Sequence, residues 1–326
     1  MEHFGLFLRY ISFNLMLIFI FMKGFSIGKK RAKGYSLAME KKGSVKKGIF
    51  YIIISALGFS LMNLFVIKSG DLPMFQKVLF RNGGAMIVAL ILFSRSGDSL
   101  DTKPSDLGLL VLRALFGSVG VFANFYALDH LMISDASILN KLAPFFTLIL
   151  SSLVLKEKTD WKQYFFVVLA FIGILFVVKP GMHFSESMTA SLVGVAGGLG
   201  AGAAYTCVRA LGKRGMPSSQ IVFGFSLIST LIAIPFVIKD HAPMTMASII
   251  YLILASIGAT IGQYGVTLAF KEAPSKEISI LDYFTVVFSA LWGVLFLGQI
   301  PHWSSIIGYV VIFSSAYLMF LYNKKR

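Results

Sequence analysis

Two ionisable side chains stand where a hydrocarbon solvent would penalise them. Lys141 lies in the apolar stretch SILNKLAPFFTLIL, about two turns into the block 134–155, and Asp282 lies inside a second one, SILDYFTVVFSAL. A charge at the centre of a membrane-crossing helix costs roughly 2.5–3.5 kcal/mol on insertion scales, so such residues by default mark an ion or substrate path. Lys141 could meet a carboxylate or phosphate of a cargo, Asp282 an amino group or a proton, and a zwitterion would use both. Structural alternatives stay open: Lys141 snorkelling its ammonium to the outer surface, and Asp282 capping the cytoplasmic start of its helix. A direct pair between the two is a further possibility.

Other polar residues share faces with them at helical spacing. Asn140, Pro144, Thr147 and Ser151 recur at i, i+4, i+7 and i+11, with Ser137 and Lys141 beside that row and Pro144 freeing a carbonyl near the middle. Asp282, Thr285 and Ser289 share a face, as do Asn124, Arg113, Gly117 and Gly120, and as do Gln263, Thr260 and Thr267. The substrate contacts expected from these patterns are Asn63, Asn124, Asn140, Lys141, Tyr205, Gln263, Tyr264, Asp282 and Trp292. Amides donate and accept, which suits a zwitterion or a base edge; the same amides can equally bond one helix to another. Trp292 is central in its stretch and could stack on a planar cargo. Arg113 reads as a snorkelling residue, and Arg81 either pairs with a carboxylate or lines the path. The run Gly194, Gly197, Gly198, Gly200 and Gly202 means close helix packing, with an unwound binding segment as the sharper alternative.

Enzyme chemistry finds no support in the motifs. The sequence has no His-Glu-x-x-His pair, no Gly-x-Ser-x-Gly elbow and no phosphate-binding glycine loop with its Lys. Without a nucleotide-binding motif, movement of a small polar metabolite must be facilitative, exchange or coupled to an ion gradient; the alternative function is a non-transporting multi-pass membrane protein such as a lipid-modifying enzyme or assembly partner. No cofactor and no metal is expected.

The elements that must position these residues follow from composition and repetition. At 56% apolar and 14% charged, with mean hydropathy +0.79, the apolar residues fall into blocks of about 20, each long enough to cross the hydrocarbon as a helix. Helices are expected over strands because the blocks do not alternate and a backbone in lipid must satisfy its own hydrogen bonds. The spans fall at about 48–67, 74–94, 106–128, 134–155 and 161–178, then 191–211, 218–238, 246–270, 276–298 and 303–322. The stretch Ser137 to Trp161 returns 142 residues later as Ser279 to Trp303, identical at 7 of 25 ungapped positions. An odd number of spans per repeat inverts one half relative to the other, the construction of many secondary transporters. The expected fold is an all-α membrane protein of ten transmembrane helices in two inverted five-helix repeats, residues 48–180 and 190–323, preceded by a hydrophobic and basic extension over 1–47.

The net charge of +15 is not a nucleic-acid footprint, because the basic residues sit at helix ends. Of the Lys and Arg residues in the basic run before Gly48 and at the span ends, 21 fall on the side of that run and four on the other. The asymmetry places both termini of the repeat region in the cytoplasm, in the cytoplasmic membrane. Expected partners are a small-molecule metabolite and the lipid bilayer, with a homodimer left open and nucleic acid excluded. The extension before Met39 is read either as an eleventh helix over Phe4 to Met22 or, preferably, as lying upstream of a start at Met39. Cys207, the single cysteine, reads as a small packing residue.

These residues carry a family resemblance. The helix Arg113-Ala-Leu-Phe-Gly117, the exit Phe125-Tyr-Ala-Leu128, Asp135-Ala-Ser-Ile-Leu139, Pro144 and Leu155-Lys-Glu157 resemble the EamA branch of the drug/metabolite transporter superfamily. A weaker echo follows in Leu268-Ala-Phe270, Ile280-Leu281 and Leu297-Gly-Gln299. The resemblance covers nearly everything from Gly48 to Lys325 and implies ten helices in two inverted repeats and a transport activity. It leaves the substrate unspecified. Gln299 stands where the first repeat has Glu157, which makes this helix-end position structural.

Overall fold

The computed structural model describes residues 45–96, 104–156, 159–178, 186–272 and 279–324. The N-terminal extension, with both of its readings, lies outside the described residues. Every regular element described is helical. The first half comprises α1 (Val45–Lys68), α2 (Met74–Ser96), α3 (Pro104–His130), α4 (Ile133–Asn140), α5 (Ala143–Val154) and α6 (Trp161–Val178). The second comprises α7 (Glu186–Lys213), α8 (Ser218–Lys239), α9 (Met246–Glu272), a short 3-10 turn at Ser279–Tyr283, α10 (Phe284–Leu297) and α11 (Trp303–Lys324). Among the described residues nine stretches are long and apolar enough to span a bilayer, α4 and α5 together forming one of them, and Leu281–Leu297 is a shorter apolar tenth. The chain is thus an all-α membrane protein of ten spans in two inverted sets of five.

Several helices run a few residues beyond the apolar blocks, and the fourth and ninth spans differ from continuous helices. The fourth is broken between α4 and α5, with Lys141 capping the first piece and Pro144 in the first turn of the second. Proline lacks the N–H that would bond the carbonyl four residues back and its ring crowds that carbonyl, so the break falls where Pro144 demands it. The ninth span starts with the 3-10 turn and becomes α-helical at Phe284. The two irregularities occur at the same register of the repeat, since Asn140 and Lys141 correspond to Asp282 and Tyr283. The second half has Val286 where the first has Pro144, so proline alone does not account for the pair.

Lipid reverses the usual arrangement of side chains. Ile87, Leu90, Phe165, Val168, Ile172, Leu175, Val294 and Val310 are exposed on the outside, whereas Asn63, Asn82, Arg113, Asn124 and Ser289 are buried within. Small residues decide which helices touch. A methyl added at Gly58 of α1 would stand 2.7 Å from the Gly262 nitrogen and 2.8 Å from the Gly258 oxygen of α9, so two backbones meet there. In the counterpart pair, Gly200 of α7 lies against Gly120 and the Phe116 carbonyl of α3. The glycine run of α7 packs on two sides: Gly194, Gly198 and Gly202 against Leu139, Leu142 and Phe146, and Gly197 and Gly200 against α3. α7 is continuous through the run, so close packing holds and the unwound alternative does not.

Candidate functional site

Where the broken spans meet, the two halves exchange bonds. The Lys141 Nζ donates to Asp282 Oδ2 at 2.6 Å. The Tyr283 hydroxyl donates to the Lys141 carbonyl oxygen at 2.9 Å. This carbonyl lies at the break, where the backbone N–H groups of both Phe145 and Phe146 bond Leu142 instead. Tyr283 thus supplies a partner that the broken fourth span lacks. The Lys141 ammonium also lies 5.9 Å from the Phe59 ring centre. One carboxylate oxygen of Asp282, Oδ1, is buried without a hydrogen-bond partner.

A second chain of bonds runs beside the pair. Asn124 Nδ2 donates to Asn63 Oδ1 at 3.5 Å, Asn63 Nδ2 to Ser137 Oγ at 3.2 Å, and Ser137 Oγ to Ser289 Oγ at 2.8 Å. It links α3, α1, α4 and α10, and so joins the halves through groups that hydrocarbon could not solvate. Each such bond is worth about 1 kcal/mol net, and leaving a buried group unpaired costs more.

These elements border a partly open cavity of about 90 Å³. Six of the expected contacts line it: Asn63, Asn124, Asn140, Lys141, Tyr205 and Gln263. The other three do not. Asp282 reaches it through Lys141, Trp292 turns its indole N–H to Ser60 Oγ at 3.0 Å, and the buried Tyr264 hydroxyl has no partner. The spacing that grouped Arg113, Gly117, Gly120 and Asn124 identifies the face of α3 that borders the cavity. Walls come from both halves, with Ala201, Ala204, Phe225 and Thr285 opposite Phe59, Met62 and Val121.

Two further cavity residues lay outside the expected contacts, Arg113, read as able to snorkel, and Arg81, for which lining the path was one of two readings. Arg113 does not snorkel: it is 4% exposed, and its guanidinium carbon sits 4.0 Å from the Phe225 ring centre. Its helix begins at Pro104, so the residue lies deeper than the apolar block suggested. Arg81, 5% exposed, lies 5.5 Å from the same ring and donates from Nη1 to Asn82 Oδ1 at 2.5 Å, while Asn82 Nδ2 donates to Ser229 Oγ. Among the described residues no carboxylate stands within ion-pair distance of either arginine, and the Nε of each lacks a partner. An uncompensated buried ion carries a penalty of several kcal/mol, and a desolvated aromatic face returns only about 2. The available signal for Arg113 was its place on the Gly117, Gly120 and Asn124 face. Its burial depends on Phe225 of α8, more than a hundred residues away in the chain.

Ties at the ends of the bundle are of ordinary kind. Lys77 pairs with Asp129 at 2.5 Å beyond one end of the cavity, and Arg214 with Asp106 at 2.6 Å at the other. Gln76 exchanges two bonds with the Ala242 backbone. Gln299 Oε1 accepts from the Ile133 N–H at 2.9 Å and so caps the start of α4, a structural task at the position where the first repeat has Glu157. Among the described residues no cluster of His, Cys, Asp or Glu could hold a metal ion.

A ten-span bundle of inverted halves around a polar chamber defines a multi-pass membrane protein of the transporter class. The EamA-like transporter family profile matches residues 46–179 and 188–321, and the chain belongs to that family. It is 30% identical over 270 residues to the pseudopaline exporter CntI of Pseudomonas aeruginosa, across 82% of this chain and 94% of that protein. Solute carrier family 35 member G1 of Homo sapiens is 26% identical over 282 residues, covering 82% of this chain and 77% of its own length. A solved crystal structure superposes with a TM-score of 0.65 at 17% identity, over 86% of this chain and 99% of that one, which speaks for the fold.

Proposed function

We propose that the protein is a secondary transporter that carries a small polar metabolite, of the amino acid or nucleoside kind, across the cytoplasmic membrane by alternating access. The observation that carries this reading is the chamber between the inverted halves, bordered by Asn63, Asn124 and Lys141 on one side and Tyr205 and Gln263 on the other. Lys141 sits at the break of the fourth span and the ninth opens with a 3-10 turn at the twin position, and a broken helix can change its angle at less cost than an intact one. Both ends of the repeat region face the cytoplasm in this proposal, as the Lys and Arg asymmetry argues.

The test is counterflow in proteoliposomes of the purified protein, with radiolabelled amino acids and nucleosides offered against unlabelled pools of the same compounds. Transient accumulation above protein-free vesicles for at least one compound is expected. A flat trace across the panel overturns the stated substrate kind. For the orientation, a thiol reagent that cannot cross membranes should leave Asn323→Cys unlabelled in intact cells and label it after permeabilisation.

A further inference from the structure

We propose that Arg81, Arg113 and the Phe225 ring form an oxyanion subsite of the central cavity, and that the cargo is an organic anion carrying at least two negative charges. The proposal rests on the transport reading above and puts an anionic cargo in place of its amino acid or nucleoside kind.

Three cationic side chains line the chamber: Arg81, Arg113 and Lys141. Lys141 is already neutralised by Asp282 at 2.6 Å. The two arginines are not, for no carboxylate among the described residues approaches either. Arg81 spends one bond on Asn82, while the Arg113 Nε has no partner, no described residue gives its guanidinium a hydrogen bond, and the group lies against the Phe225 ring. An aromatic face steadies a cation without supplying an acceptor for each of its donors. Both guanidiniums therefore keep donors for a carboxylate or phosphate, whose oxygens a planar fork can take two at a time.

The local backbone makes room for this arrangement. A methyl added at Gly117 would lie 2.2 Å from Arg113 Nη1 and 2.8 Å from the Phe225 ring, so only glycine there lets the guanidinium lie back along α3. Charge balance sets the cargo. With the Lys141–Asp282 pair counted as neutral, the arginine charges have no offset, and a dianion would cancel them during passage where a zwitterion would not. Carboxylates and phosphates share this chemistry.

Proteoliposomes of the full chain, loaded with a uniformly 13C-labelled extract of small metabolites, test the idea when efflux is followed by mass spectrometry and sorted by net charge. We expect polycarboxylates or phosphate esters to leave at least tenfold faster than from protein-free vesicles, the masses telling which of the two is recognised. Arg113→Gln and Arg81→Gln should each lower that rate at least tenfold, and Arg113→Lys should retain part of it because charge survives while the fork is lost. Should a Gln variant fail to fold, Phe225→Leu, which keeps the wall apolar and removes the ring, should lower the same rate severalfold. Efflux of neutral or cationic compounds only would leave the transport reading standing and overturn the subsite. Anion efflux that survives both Gln substitutions would overturn it too. If no compound crosses, the transport reading itself fails and this inference falls with it.

Discussion

Lys141 and Arg113 are both cations buried in the same chamber, yet their surroundings differ. Lys141 has a carboxylate at 2.6 Å, and its backbone carbonyl is taken by Tyr283. Arg113 has an aromatic face at 4.0 Å and no acceptor among the described residues. The first is a charge whose cost the fold meets from within, joining one broken span to its twin. The second is a charge whose cost is left standing. A buried ion that the protein does not compensate is a position where a ligand has most to offer, so the difference separates a group that holds the halves together from one that awaits a cargo.

Substitutions can break that contrast at several points. Asp282→Asn leaves Lys141 buried without its counter-charge, and the loss of one partner of a buried pair costs about 3–5 kcal/mol. Its thermal unfolding in detergent should fall markedly, and Lys141→Gln added to it should recover most of the loss. Equal midpoints for parent and single variant would show that the pair does not join the halves.

Gly117→Ala should lower transport about tenfold or more, as expected when a charged hydrogen bond worth about 1.5–3 kcal/mol is displaced. Some stability should be lost as well, because the methyl would stand 2.2 Å from the far end of Arg113 but also 2.8 Å from the buried Phe225 ring. Unchanged transport in a folded Gly117→Ala variant would show that the position of the guanidinium does not matter to the cargo.

Ser137→Ala removes both the acceptor for Asn63 and the donor to Ser289. A loss of about 1–2 kcal/mol is expected from two severed bonds that share one hydroxyl, read as a lower unfolding midpoint. No change would mean that the Asn124 to Ser289 chain is not a structural tie.

The smallest effect sharpens the comparison most. Arg113→Gln should leave the unfolding midpoint unchanged or raise it by the equivalent of about 1 kcal/mol, since it removes a buried charge without orphaning a partner. If it instead destabilises as strongly as Asp282→Asn, Arg113 belongs to the frame and the contrast with Lys141 disappears.

The sequence by itself determined the class, the ten-span layout and the repeat, because each follows from local quantities: the length of an apolar block, the spacing of charges, and self-similarity over 142 residues. It also identified the Arg113, Gly117, Gly120 and Asn124 face and the neighbourhood of the break at Pro144, since helical periodicity and a missing N–H act within a few residues. Partnership was another matter. Pairing of Lys141 with Asp282 was open, Arg113 was read as able to snorkel, and the bond from the Trp292 indole to Ser60 was not foreseen. A helix face is written in one segment, whereas its cover comes from another: Phe225 of α8 buries Arg113, and α10 with its 3-10 turn brings Asp282 and Ser289 to α4. Only the tertiary structure decided which charges were neutralised and which were left facing the cavity. A buried ion's cost depends on a counter-charge within a few ångströms, and no spacing along the chain specifies that distance.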